Sequence, residues 1–230
     1  MRAYGYCERL SDHFWGEPWN AVTNGAFLLA AAAALLLWRR AGGRDWPVLV
    51  LILLVFAIGI GSFLFHAMPR PWTLAADVVP IQLFAFSYFG LALARFLGFG
   101  PVATGLSTLA FFGFALSLSG LLTPALPQGL RGSAGYGAFL LGLAGVAGVL
   151  WRRPGRAATA RLIGLAGLIF ALSLTFRTLD VPLCGIIPLG THWLWHLLNA
   201  TVLYLLLRAA IGQGSARSDG GSGRDLSSIR

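Results

Sequence analysis

The chain has 230 residues, of which 57% are hydrophobic and only 11% charged, with a mean hydropathy of +0.75. No ordinary soluble domain of this size has such a balance, so the composition restricts the chain to the membrane proteins. The formal net charge of +9 is carried entirely by arginines; they gather between apolar runs, as topogenic charges do, which argues against a nucleic-acid partner.

Residues 1–18 are polar and aromatic and lack the apolar core of a signal peptide, so the first apolar run is expected to act as a signal anchor. Seven runs follow, each close to the roughly 20 residues that cross a bilayer core: Trp19–Trp38, Trp46–His66, Leu74–Arg95, Val102–Leu122, Gly135–Trp151, Arg161–Arg177 and Pro188–Ile211. Trp19, Trp38, Trp46, Trp72 and Trp151 fall near the ends, at the depth of interfacial aromatics. The expected fold is an all-α bundle of seven transmembrane helices occupying 19–211. The Gly-, Ser- and Arg-rich tail 212–230 is expected to be disordered.

Arginine placement gives the orientation. Arg2, Arg9, Arg70, Arg131 and Arg177 fall at one end of the spans. Arg39, Arg40, Arg44, Arg95, Arg152, Arg153, Arg156, Arg161 and Arg208 fall at the other. The positive-inside rule then puts the N-terminus outside and the C-terminus in the cytoplasm. Glu8, Asp12, Glu17, His66, Asp77, His192 and His196 all come to the outer end, although they belong to well-separated segments. Cys7 and Cys184 come there too. A disulfide between them is chemically permitted and would pin the N-terminal segment to the entrance of the seventh span; two free thiols are the alternative.

His192 and His196 are four residues apart at the start of an apolar helix, so both rings can point at one object. Ser62 and His66 repeat that spacing, and Gly59 and Gly61 before them permit another helix to approach closely. Asp77, one turn before Pro80, places a carboxylate where insertion costs about 2.5–3.5 kcal/mol and so calls for a partner. A coherent assignment gives Zn2+ to His66, His192 and His196 with an open fourth position, the water-activating role to Asp77 and an oxyanion donor to Ser62. That set suits hydrolysis of an amide or ester. Taken singly, each piece has another use: an HxxxH pair serves packing or interhelical hydrogen bonding, a serine packs as a small residue, and the aspartate could be an ion or proton site of a transporter. His13 is expected in solvent, and Asp180 is expected in a surface ion pair with Arg177. Glu8 and Glu17 either cradle a hard cation such as Ca2+ or form an acidic turn whose charge favours the start of the first span.

Cys7-Glu8, Glu17-Pro18-Trp19-Asn20 with Asn24, Gly61-Ser62 with His66, Asp77, Asp180 with Cys184, and His192 with His196 together resemble the pattern of the alkaline ceramidases. These are seven-span, zinc-dependent lipid amidases, and the resemblance runs from about Tyr6 to Tyr204. It implies zinc ligands at His66, His192 and His196, a water-orienting acid at Asp77, an oxyanion donor at Ser62 and a Cys7–Cys184 disulfide. The family's Ca2+ site maps onto Glu8 and Glu17. Here those glutamates are more closely spaced than in the animal enzymes, and Gly5 stands where those have an aspartate, leaving Asp12 as the substitute. The implied reaction is hydrolysis of ceramide, or of another N-acyl lipid, to a sphingoid base and a fatty acid, with Phe63, Phe65, Phe84 and Phe86 as candidate cavity walls. The arginine-only basic usage and the Ala and Gly richness suit a GC-rich bacterial genome, hence an inner membrane with the site toward its outer leaflet. The alternatives are a seven-span protein of the progestin and adiponectin receptor type, which shares SxxxH and HxxxH but is expected in the opposite orientation, and a transporter using Asp77.

Overall fold

A computed structural model describes residues 5–9, 11 and 13–222, with the side chains of 128–130 and 213–222 outside that description. The described chain is all-helical: α1 (Pro18–Thr23), α2 (Gly25–Arg40), α3 (Trp46–Ala67), α4 (Pro71–Arg95), α5 (Pro101–Ala125), a 3-10 segment (Gln128–Tyr136), α6 (Gly137–Trp151), α7 (Ala157–Leu179) and α8 (His192–Ser222). Proline opens α1, α3, α4 and α5. Its fixed φ suits the first turn, where its missing N–H costs nothing.

Seven stretches are long and apolar enough to cross a membrane: Pro18–Arg40, Trp46–Ala67, Pro71–Arg95, Pro101–Ala125, Arg131–Trp151, Ala157–Leu179 and His192–Gly212. They coincide with the seven runs read from the sequence to within a few residues, and the protein is an integral membrane protein. The last span starts at His192, because residues 180–191 form a folded connection that the hydropathy of Ile186–Leu189 conceals. At the other end α8 continues as helical backbone to Ser222, past the Gly212 boundary at which the disordered tail was expected to begin. An existing helix extends cheaply, one residue at a time. The remainder of the tail, 223–230, lies outside the described residues.

Each span packs against its successor, and α8 returns to α2, so the seven spans close into a ring. Large apolar side chains line its outside, among them Leu29, Leu53, Val102, Leu121 and Leu168. So largely apolar an exterior is untenable in water and natural in lipid. The two ends of the ring are held differently. At the arginine-rich end, Arg95 at the close of α4 forms a two-pronged ion pair with Asp45 at the start of α3, one prong at 2.6 Å. Arg153 there reaches the Leu97 carbonyl at 2.8 Å. At the opposite end a disulfide joins Cys7 to Cys184, tying the N-terminal segment to the α7–α8 connection.

Asp180 organises that connection. It is 1% exposed and accepts backbone N–H bonds from Cys7 (2.9 Å), Thr191 (2.7 Å) and His192 (2.9 Å). The expected surface ion pair with Arg177 is absent, because the unsatisfied N–H groups at the start of α8 and the Cys7 N–H compensate the buried carboxylate instead. Gly190, at φ +71°, makes this approach possible: a Cβ there would lie 2.2 Å from the Asp180 carboxylate.

Candidate metal centre

Close approach of α3 to its neighbours brings the centre together. A Cβ on Gly61 would lie 2.0 Å from the Ala76 carbonyl oxygen in α4. Pro80, four residues after Ala76, has no N–H to offer that carbonyl, so the oxygen is turned free of the helix ladder and lies against the bare Gly61 Cα. This contact sets Ser62 beside Asp77, and both line one cavity. One turn further along α3, His66 faces the first turn of α8.

His66, His192 and His196 are all buried, and their ligand nitrogens lie within 4.8 Å of one another. The ring centroids stand 4.7 to 5.1 Å apart. Outer partners set the ring protons. Glu17 Oε2 stands 2.5 Å from His66 Nδ1, so Nδ1 donates to the carboxylate and the lone pair falls on Nε2. Thr23 gives its hydroxyl proton to the Trp19 carbonyl (2.7 Å), and its oxygen, 2.9 Å from His196 Nδ1, is left to accept from that nitrogen. His196 Nε2 is therefore the basic nitrogen. It is buried with no hydrogen-bond partner, as is His192 Nδ1. Buried polar atoms are rarely left without partners. Two such nitrogens converging with a third ring, backed by outer-shell acceptors, fit a divalent metal held by three imidazoles.

The sequence reading of Glu8 and Glu17 as a Ca2+ cradle does not fit this geometry. Glu8 accepts N–H bonds from Trp19 (2.6 Å) and Asn20 (2.8 Å), capping the start of α1. Burial pushes its pKa up, against the pull of those two N–H groups. Glu17 is 1% exposed and is engaged by His66, by Asn20 Nδ2 at 2.9 Å and by the guanidinium of Arg9, which also donates to the His66 carbonyl at 2.7 Å. Burial raises the pKa of Glu17, but the His66 imidazole, Asn20 and Arg9 outweigh it and hold the carboxyl below its ordinary range. A cation already stands beside Glu17, and it is an arginine. Asp12 lies outside the described residues. His13 is exposed, as its sequence context suggests.

Tyr6 stacks on the His192 ring with centroids 3.8 Å apart, and burial pushes its phenol pKa up. One cavity is lined by Tyr6, Ser62, Asp77, Arg177, His192 and His196 at its polar end and reaches Ala92 and Leu206 at the other. From His192 to Leu206 is about 21 Å along α8 at ~1.5 Å per residue, more than the ~15 Å of one hydrocarbon leaflet. Of the four phenylalanines expected in its walls only Phe84 is there. Phe63 packs under Phe14 and Trp15, Phe65 sits against the back of His66, and Phe86 joins Phe111, Phe112 and Phe139. The reason is helical phase: Ile81, Phe84, Ala85, Tyr88 and Ala92 follow the three- and four-residue spacing of one α4 face, which Phe86 does not share. Sequence reasoning missed Arg9, Thr23, Tyr6 and Arg177 at the site. Three of these are polar residues beside span ends, where solvent is the ordinary expectation.

The fold and site define a seven-helix membrane protein with a buried histidine triad that could hold a metal at the head of an apolar cavity. No protein-family model, curated protein or solved structure matches the chain.

Proposed function

We propose that the protein is a zinc-dependent amidase that hydrolyses the N-acyl bond of a ceramide or similar acyl-amide lipid within the membrane, as the resemblance to the alkaline ceramidases implies. The observation carrying this reading is the meeting of His66 with His192 and His196, the last two lining the polar end of a cavity whose wall also holds Ser62 and Asp77. A zinc ion there would polarise the substrate carbonyl and lower the pKa of water to about 7.

The chain's own residues supply the rest. Asp77 takes a proton from the attacking water as its oxygen bonds to the carbonyl carbon. Ser62 donates a hydrogen bond to the oxygen that gains charge in that step. The C–N bond then breaks, the acyl half leaves as a fatty acid, and the proton passes from Asp77 to the amine nitrogen. The shaft from Phe84 to Leu206 takes the hydrocarbon and excludes water from it. On the arginine count the site faces the extracytoplasmic leaflet, at a depth where a lipid with a small headgroup presents its amide.

The test is metal analysis together with lipid turnover, the wild type beside His196→Ala. One zinc per chain and release of fatty acid from acyl-amide lipids are expected for the wild type, and loss of both for the variant. Zinc-free material from a chelator-free purification, or undiminished turnover by His196→Ala, refutes the reading. Asp77→Asn should keep the metal and lose about 10²–10⁴ in rate. Ser62→Ala should lose about 10²–10³.

A further inference from the structure

An arginine in the last turn of a membrane span ordinarily extends its long side chain toward the aqueous surface. Arg177 does not. Its guanidinium carbon lies 5.2 Å from the Tyr136 ring and 5.4 Å from the Trp195 ring, and the side chain contributes to the wall of the same cavity as His192 and His196. Arg177 lines that cavity together with Tyr6, Asp77, His192 and His196, so this cation stands at its polar end.

Among the described residues the cation has no close anion. Arg177 belongs to none of the ion pairs among the described residues. Asp77 and Asp180 contribute to its electrostatic field, but neither carboxylate comes within the 4.0 Å of an ion pair, and Asp180 is committed to Cys7, Thr191 and His192. Among the described residues the groups that touch Arg177 are neutral: the Ser133 hydroxyl, at a long 3.4 Å, and the rings of Tyr136 and Trp195. Space is kept for it as well, since a Cβ on Gly132 would lie 3.1 Å from Arg177 Nη1. A guanidinium has five donors in a planar fork shaped for a carboxylate or another oxyanion. Away from bulk water such a pair is short and strong. Charged groups held inside membrane proteins against a cavity mark substrate pathways.

We infer that Arg177 is an anion receptor at the head of the cavity, and that the preferred substrate is an acyl-amide lipid whose amine half carries an oxyanion a few bonds from the amide, the N-acyl amino acids being the simplest. The inference rests on the amidase reading for its substrate and on Arg177 alone for the anion. A neutral ceramide would leave the guanidinium without a partner. An N-acyl amino acid would satisfy it while its carbonyl lies at the histidines and its acyl chain runs toward Leu206. Tyr136 and Trp195 hold the guanidinium by cation–π contact, which takes up none of its hydrogen-bond donors.

The experiment compares N-oleoylglycine, which is anionic, with the neutral N-oleoylethanolamide on the full-length, metal-loaded protein in nanodiscs. If both are hydrolysed, the ratio of kcat/KM is the readout. If neither is, the ratio of dissociation constants from Trp fluorescence replaces it and needs no turnover. The wild type should favour the anionic lipid at least tenfold. Arg177→Gln should bring the two within about twofold by weakening only the anionic one, and Arg177→Lys should retain part of the preference. A wild type that treats the two lipids alike overturns the receptor, with no variant needed. So does an Arg177→Gln protein that keeps the full preference. Hydrolysis without preference removes the receptor and leaves the amidase standing; preferential binding without hydrolysis does the reverse.

Discussion

Around His66 the decisive residue is one that supplies no ligand atom. Arg9 joins the Glu17 carboxylate to the His66 backbone carbonyl, so that one guanidinium fixes both the acceptor of the Nδ1 proton and the helix end carrying the ring. Outer-shell partners of this kind change metal affinity about 10–100-fold, and Arg9→Gln should weaken zinc binding by that amount, measured by competition with a chelator of known affinity. Removing the cation also leaves Glu17 buried and uncompensated, at a cost of about 3–5 kcal/mol. Pairing Arg9→Met with Glu17→Gln should therefore recover much of the melting temperature lost in Arg9→Met alone, without restoring the affinity for zinc. The Gln carbonyl still accepts from Nδ1 but brings no negative charge to the imidazole. A double variant no more stable than the single one would show that charge compensation is not what Arg9 provides. Because this guanidinium stands beside Glu17, calcium added to the zinc-loaded protein should leave its melting temperature unchanged, whereas the sequence resemblance alone implies stabilisation.

Between elements, two glycines in α3 face different neighbours and make a controlled pair. A Cβ on Gly59 would first meet Leu28 Cδ2 at 2.9 Å, the far end of a flexible side chain in α2. A Cβ on Gly61 would strike the Ala76 carbonyl at 2.0 Å and the Asp77 backbone nitrogen at 3.1 Å, neither of which can swing away. Overpacking costs about 1–3 kcal/mol where the backbone must shift. Gly61→Ala should reach the top of that range and should also lower hydrolysis, since it pushes Asp77 away from Ser62. Gly59→Ala should cost less and keep its activity. Equal losses in melting temperature and rate would mean that the α3–α4 contact does not position the site. These glycines also show where sequence reading stops. That small residues before His66 admit a close neighbour is legible from composition and spacing. Which helix approaches each one depends on helical phase and on a carbonyl freed by Pro80, and both are tertiary facts. The same phase separates Phe84, in the cavity wall, from Phe86, which is not in the wall and packs on the wall residues Phe111 and Phe139.

Over the whole molecule, the seven spans and the His192–His196 pair were legible because hydropathy and the i, i+4 rule act locally and strongly, while His66 joined that pair only through the shared end of the spans and the family resemblance. Arg9, Thr23 and Asp180 were not, because each finds its partner far along the chain: His66 is 57 residues from Arg9, His196 is 173 from Thr23, and Cys7 is 173 from Asp180. What closes those distances is the tie between Cys7 and Cys184, 177 residues apart. Chain entropy alone would credit such a cross-link with about 5 kcal/mol. The figure is an upper bound here, since an unfolded chain still threaded through a bilayer keeps its ends within a restricted volume. Cys7→Ser should accordingly lower the melting temperature by less than that bound implies. It should weaken zinc binding as well, because the freed segment carries Glu8 and Arg9. The same bond constrains orientation independently of arginine counting. Disulfides persist in oxidising compartments, so the Cys7–Cys184 bond and the positive-inside rule make the same prediction: the end bearing the histidines faces outward and the end bearing Arg39, Arg95 and Arg153 faces the cytoplasm. A reporter fused after Arg230 should be active only as a cytoplasmic fusion, while Cys7 and Cys184 in intact cells should resist a thiol reagent until a reductant is added. A periplasm-active fusion together with freely alkylated cysteines would reverse the orientation and place the cavity mouth in the opposite leaflet.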